Sequence, residues 1–211
     1  MPSTIDDQLS REWLLTDGMG GFAMGTFAEA HTRRYHGLFV AATAPPVRRR
    51  LLLHAVFERL IVGSTVLELA SQRFGPTFQE HPGGRALLKK VAVIDGRTLE
   101  WRYAATIDGD AIRLIKRLTL HTDRPGAEVH YTLDAGGRDM RVELRPMTPL
   151  RDFHELDRVH GRGPEHESGP TASVEGNDFR ITRDDLAVRL TCEGATARHD
   201  PDWWYDFAYS I

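Results

Sequence analysis

Apolar and polar residues alternate along most of the chain. Between Thr98 and Ile107, the residues Leu99, Trp101, Tyr103, Ala105 and Ile107 fall on one side, and Glu100, Arg102 and Thr106 fall on the other. The next run sets Ile112, Leu114, Leu118 and Leu120 against Arg113, Arg117 and Thr119. Val129, Tyr131 and Leu133 continue the pattern, as do Met140, Val142 and Leu144. Near the end, Leu186, Val188, Leu190 and Cys192 oppose Arg189, Thr191 and Glu193. A period of two buries one face of a strand and wets the other, the habit of antiparallel sheets. Asp95-Gly96, Asp108-Gly109, Gly136-Gly137 and Gly176-Asn177 punctuate the runs as short turns. No long window carries a helical stripe. Residues 48–62 fit one long strand with a bulge. Residues 157–170 hold Gly161, Gly163, Pro164, Gly169 and Pro170 with no apolar period, which predicts a mobile surface loop. There is no internal repeat. The pattern predicts an all-β fold of antiparallel sheets, and a length of 211 residues allows residues 1–211 to form a single domain, since a large antiparallel β-sandwich often fills ~200–250 residues.

Composition narrows the function classes. The 211 residues are 41% hydrophobic and 27% charged, with a formal net charge of −3. That is ordinary globular chemistry. It gives no electrostatic ground for nucleic acid or an anionic membrane as partner. With one cysteine, Cys192, no intrachain disulfide can form. This fits a reducing compartment. Cys192 ends an apolar run and reads as a small core residue. The first ten residues lack an apolar stretch, so no secretory signal is expected. No apolar run approaches the ~20 residues that span a bilayer. The expectation is a soluble, cytoplasmic protein.

Candidate chemistry is concentrated in a few places. Arg33-Arg34-Tyr35-His36 precedes an apolar strand. In one reading the arginines pair with local acids at a strand entry. In the other, fork-like donors and an aromatic plane face a sugar or a neighbouring domain, since sugars offer vicinal hydroxyls and C–H faces. Asp152 follows Arg151, which keeps it ionised rather than suited to act as an acid. It serves either in a structural ion pair or in ligand binding. In Trp203-Trp204 the two rings point to opposite faces of any strand, so one is core and the other stacks on sugar or seals an interface. The glycines of residues 18–25 lack the lysine and serine of a phosphate-binding loop and read as a tight turn needing positive φ. His154, His160 and His166 have no metal-like frame, and nothing calls for a metal or cofactor. No pair of carboxyl groups stands out for glycoside hydrolysis, which ordinarily uses two.

Four blocks of the chain carry a family resemblance. The first runs from Glu12 through Trp13, Asp17, Gly18, Gly20, Gly21 and Phe22 to Thr26. The second is Thr32-Arg33-Arg34-Tyr35-His36-Gly37-Leu38-Phe39. The third is Arg145-Pro146-Met147-Thr148-Pro149-Leu150-Arg151-Asp152-Phe153-His154, and the fourth is Trp203-Trp204-Tyr205-Asp206-Phe207. Together, in this order, they resemble the N-terminal domain of bacterial and archaeal glycogen debranching enzymes, the amylo-α-1,6-glucosidase family. The family pattern has Tyr and Ser where this chain has Phe22 and Met24, and Met147-Thr148 interrupts the usual Pro-Leu spacing. The resemblance implies a β-sandwich of the kind that precedes a glucoamylase-type (α/α) toroid. That toroid, expected to lie outside this chain, carries the carboxylates that hydrolyse α-1,6 branch points in glycogen breakdown. It implies a non-catalytic domain that supports α-glucan binding, with glycogen or maltodextrin and the parent's C-terminal catalytic domain as partners. The expected contact residues, to substrate or to interface, are Arg33, Arg34, Tyr35, His36, Arg151, Asp152, Trp203 and Trp204. The alternatives are a stand-alone carbohydrate-binding module and a 4-α-glucanotransferase domain.

Overall fold

A computed structural model describes residues 9–44, 48–156, 169–202, 204 and 206–209. The strands in chain order are β1 (Glu12–Thr16), β2 (Phe22–Thr26), β3 (Gly37–Ala44), β4 (Arg48–Leu53), β5 (Ala55–Val62) and β6 (Thr65–Glu68). They continue with β7 (Gln72–Phe74), β8 (Gln79–His81), β9 (Leu88–Ile94), β10 (Thr98–Ile107), β11 (Asp110–Leu120) and β12 (Ala127–Asp134). The last are β13 (Arg141–Met147), β14 (Arg151–Asp152), β15 (Thr171–Glu175), β16 (Asp178–Arg183) and β17 (Leu186–Thr191). A single 3-10 turn, Gly84–Leu87, is the one named helical element among the described residues.

The strands form antiparallel sheets in the orders β1-β2-β3-β4-β14, β12-β11-β10-β9, β13-β5-β6, β15-β16-β17 and β7-β8. The fold is all-β, in agreement with the alternation. At Asp108 and Gly109 φ is 49° and 90°, the left-handed pair that a two-residue hairpin turn needs. That turn sets Ile107 against Asp110 and fixes the register of β10 on β11.

Register decides which side chains go inside. Leu99, Trp101, Tyr103 and Ile107 of β10 join Ile112, Leu114, Leu118 and Leu120 of β11 in one apolar cluster. Trp13 and Leu15 of β1, Leu38 and Phe39 of β3, Val56 and Leu60 of β5, and Ile181 of β16 belong to the same cluster. Trp13 meets Trp101 edge to face at 5.7 Å. Each large apolar side chain buried in this way contributes about 1.5–3 kcal/mol.

Three expectations are corrected. Residues 48–62 are not one bulged strand: the chain breaks at His54, and β4 and β5 belong to different sheets. The His54 N–H donates to Met147 O at 2.8 Å and its carbonyl accepts from Leu38 N at 3.3 Å. Its backbone is therefore shared between β13 and β3, and the strand cannot run straight through. Cys192 is exposed, not core, because β17 ends at Thr191 and the alternation stops with it. Glu100, placed on the wet face of β10, is buried because Arg102 and Arg117 lie over it, each at 2.6–2.7 Å. The loop expected at 157–170 falls mostly outside the described residues, which resume at Gly169.

Candidate functional site

A groove of about 630 Å³ opens over the solvent face of the β1–β2 hairpin. That volume lies within the ~300–1,000 Å³ span of small-ligand sites. Trp13 and Leu15 point into the core, so Leu14 and Thr16 point out, paired across strands with Met24 and Phe22. Leu14 is 56% exposed. An outward sheet face built of Leu, Phe and Met marks a contact surface rather than a wet face.

The turn joining β1 to β2 forms one end of the groove. The buried Asp17 carboxylate accepts from Met19 N at 2.7 Å and from Gly21 N at 2.9 Å, and Arg49 Nε donates to Gly20 O at 2.8 Å. Gly20 has φ of 97°, and a Cβ at Gly21 would lie 2.3 Å from Asp17 Oδ2 and 2.9 Å from Val40 O. The positive φ expected of this turn is found at Gly18 and Gly20, whereas Gly21 and Gly25 have ordinary φ and are cramped by their neighbours. Tyr35, Phe153 and His154 close the other side. Phe153 stands edge to face with Phe22 at 6.2 Å and with Tyr35 at 6.4 Å, and it packs on His154 at 3.9 Å. The lining thus offers ring faces and methyl groups, with Thr16, Tyr35, His154 and Arg49 as polar groups. No carboxylate is among the lining residues described.

The expected contact residues divide. Tyr35 lines the groove. Arg34 is exposed at its rim and donates to His154 O at 3.2 Å. Arg33 pairs with Glu12 at 2.6 Å, as the strand-entry reading has it, and also donates to Tyr35 Oη at 3.2 Å. His36 is buried, with no surface to offer a sugar. Its Nδ1 accepts from Thr32 N at 3.2 Å, which puts the proton of the neutral ring on Nε2, 3.3 Å from Glu12 Oε1. Arg151 is buried as well, and its guanidinium reaches main-chain carbonyls. Asp152 caps the following turn, accepting from His154 N at 2.9 Å. Trp204 lies outside the groove's lining and covers a small apolar cluster, 4.4 Å from Phe57 and 5.8 Å from Phe74. Trp203 lies outside the described residues, as do His160 and His166. Among the described residues no cluster of His, Cys, Asp or Glu is arranged to hold a metal.

Sequence reasoning missed two buried polar groups. Lys116 Nζ sits 2.6 Å from Glu29 Oε1 and 2.8 Å from Glu58 Oε1. Tyr131 donates to Glu58 at 2.7 Å, and Tyr103 donates to Glu29. Burial pushes the Glu29 carboxyl up to about 7 despite the pull of Lys116, and the two carboxylates hold the Lys116 ammonium above its ordinary value. His31 and His54 meet at ring nitrogens 3.2 Å apart, with His36 5.8 Å from His31. Burial lowers His36 to about 4 and His54 to about 3. Two acids clamped on one lysine, all three buried, are a structural arrangement.

The comparison with known families decides the wider context. Residues 11–211 match the family described as glycogen debranching enzyme N terminal. The chain belongs to that family. The match takes in the hairpin, the groove and both aromatic turns, so the groove belongs to the family's domain and not to an appendage. No curated protein and no solved structure matches the chain. No helix among the described residues is long and apolar enough to cross a membrane.

Proposed function

We propose that this chain is the non-catalytic N-terminal domain of a glycogen debranching enzyme, folded as a single unit, and that its groove holds α-glucan for an α-1,6-glucosidase domain of the same parent protein. The observation that carries the proposal is the lining of the groove. A neutral glucose polymer presents apolar C–H faces and a belt of hydroxyls. Phe22, Tyr35 and Phe153 offer ring planes to the first, and Thr16, Tyr35 and Arg49 offer donors to the second. Hydrolysis needs an acid and a base or nucleophile, normally two carboxyl groups facing across the bond. Asp17, the nearest acid in sequence to the groove floor, is turned inward and engaged by two backbone amides. The groove is suited to hold a sugar and not to cleave it. A cytoplasmic setting agrees with a single, exposed cysteine and no possible intrachain disulfide.

Titration of the purified chain with maltoheptaose, read by nuclear magnetic resonance, tests the proposal alongside an assay for released glucose. Saturable binding with shifts centred on Tyr35 and Phe153, and no glucose, is the expected result. Glucose release would overturn the non-catalytic assignment, and absence of binding would overturn the glucan-holding one.

A further inference from the structure

Arg151 is 6% exposed, yet it adjoins a turn that carries two groove-lining rings. Its Nη1 donates to Asp152 O at 3.0 Å, to Phe153 O at 3.3 Å and to Glu155 O. Its Nη2 donates to Arg34 O at 2.6 Å. Three of these carbonyls belong to the turn bearing Phe153 and His154. The fourth belongs to the turn bearing Tyr35, 117 residues earlier in the chain. One buried cation therefore ties together the two turns that form a wall of the groove. Beside it, Arg34 donates to His154 O at the exposed rim, Tyr35 meets Phe153 edge to face, and Phe153 N donates to Arg49 O at 3.4 Å, next to the pairing of β14 with β4.

We infer that Arg151 is a positioning residue for glucan binding: it sets the spacing of Tyr35 against Phe153 and His154 without touching the sugar. The inference rests on the reading of the groove as a glucan site. The chemistry favours arginine in this role. A planar guanidinium holds its donors in a fixed fork, and that fork spans both turns. A lysine keeps the charge but is a single point with three rotatable donors, unable to hold carbonyls on two separate turns in one geometry. Ring stacking on a sugar depends on spacing, so loosening the clamp weakens binding while leaving every contacting side chain in place.

The test is Arg151→Lys in this chain, with amide hydrogen exchange and maltoheptaose titration measured together. Exchange is expected to quicken at residues 33–36 and 152–155, with β10 and β11 amides unchanged. Maltoheptaose affinity is expected to fall about ten- to a hundredfold. Wild-type exchange in both turns would overturn the clamp. Faster exchange with unchanged affinity would overturn its role in binding. If the wild-type chain itself fails to bind, the glucan reading falls, and with it the binding role, while the exchange data still decide whether Arg151 ties the turns. Should Arg151→Lys not fold, guanidinium signals of 15N-arginine wild-type protein decide instead. Separate, slowly exchanging Arg151 Nη1 and Nη2 resonances that move on adding maltoheptaose support the role, and averaged or unmoved ones overturn it.

Discussion

Lys116 shows what a single side chain can demand of this fold. It is 1% exposed and lies 5.1 Å from the centre of the Trp101 ring, with Glu29 and Glu58 on its ammonium. A lone ion in such a place costs several kcal/mol, and only the partners make it tolerable. Lys116→Met removes the cation and leaves two carboxyl groups facing each other in a dry site. Breaking a buried set of this kind costs about 3–5 kcal/mol. Urea unfolding should register that loss as a lower midpoint with unchanged slope, and a variant as stable as wild type would show the site to be wet. The position was legible in part. Period two puts Lys116 between the inward Leu114 and Leu118, and Glu58 between Val56 and Leu60. What the sequence does not carry is that β5, β11 and the loop after β2 meet at one point, so each charge read alone looks like a defect in its strand. Arg151 is a similar case. Its type and its neighbour Asp152 were visible, but its acceptors are carbonyls, which no sequence pattern displays.

At the scale of elements, the β1–β2 hairpin bears most on the proposed site. Its outward pairs, Leu14 with Met24 and Thr16 with Phe22, make the groove floor, and its turn holds Gly20 against Arg49. Gly21 is cramped rather than contorted: an added methyl would meet the Asp17 carboxylate and the Val40 carbonyl. Gly21→Ala must therefore displace the turn, because one obstacle is backbone and cannot swing away. Maltoheptaose binding should weaken more than core stability suffers, with β10–β11 amide protection retained. Full binding by Gly21→Ala would separate the groove from the sugar site. Most strands could be read from alternation and Asp-Gly turns. Two of the failures, the break at His54 and the exposure of Cys192, occur where a strand changes partners or ends; the third, Glu100, lies within β10, where Arg102 and Arg117 cover it. Alternation describes a face; it does not say which strand comes next to it.

For the molecule as a whole, acid stability follows from groups of opposite sign. His31, His36 and His54 are buried and held below their ordinary value of 6.5, His36 at about 4 and His54 at about 3, chiefly by burial. Unfolding exposes them to take up protons. Their contribution is full above pH 6.5 and is lost as the pH falls towards the folded values. Glu29 runs the other way. Raised from 4.5 to about 7 by burial, it favours the folded state below pH 4.5, and that contribution is lost as the pH rises to about 7. Between pH 4.5 and 6.5 three histidines therefore oppose one glutamate, each group contributing at most about 1.4 kcal/mol per pH unit. The histidines prevail, so the urea midpoint should climb from pH 4.5 to 6.5 and level off near 7. His54→Gln should flatten the climb, since it removes one proton from the unfolded side of the balance. A midpoint that is flat or falling across this range would mean that the histidines are charged in the folded protein. The contact between the ring nitrogens of His31 and His54 could not then stand as described, because two imidazolium rings repel at that distance.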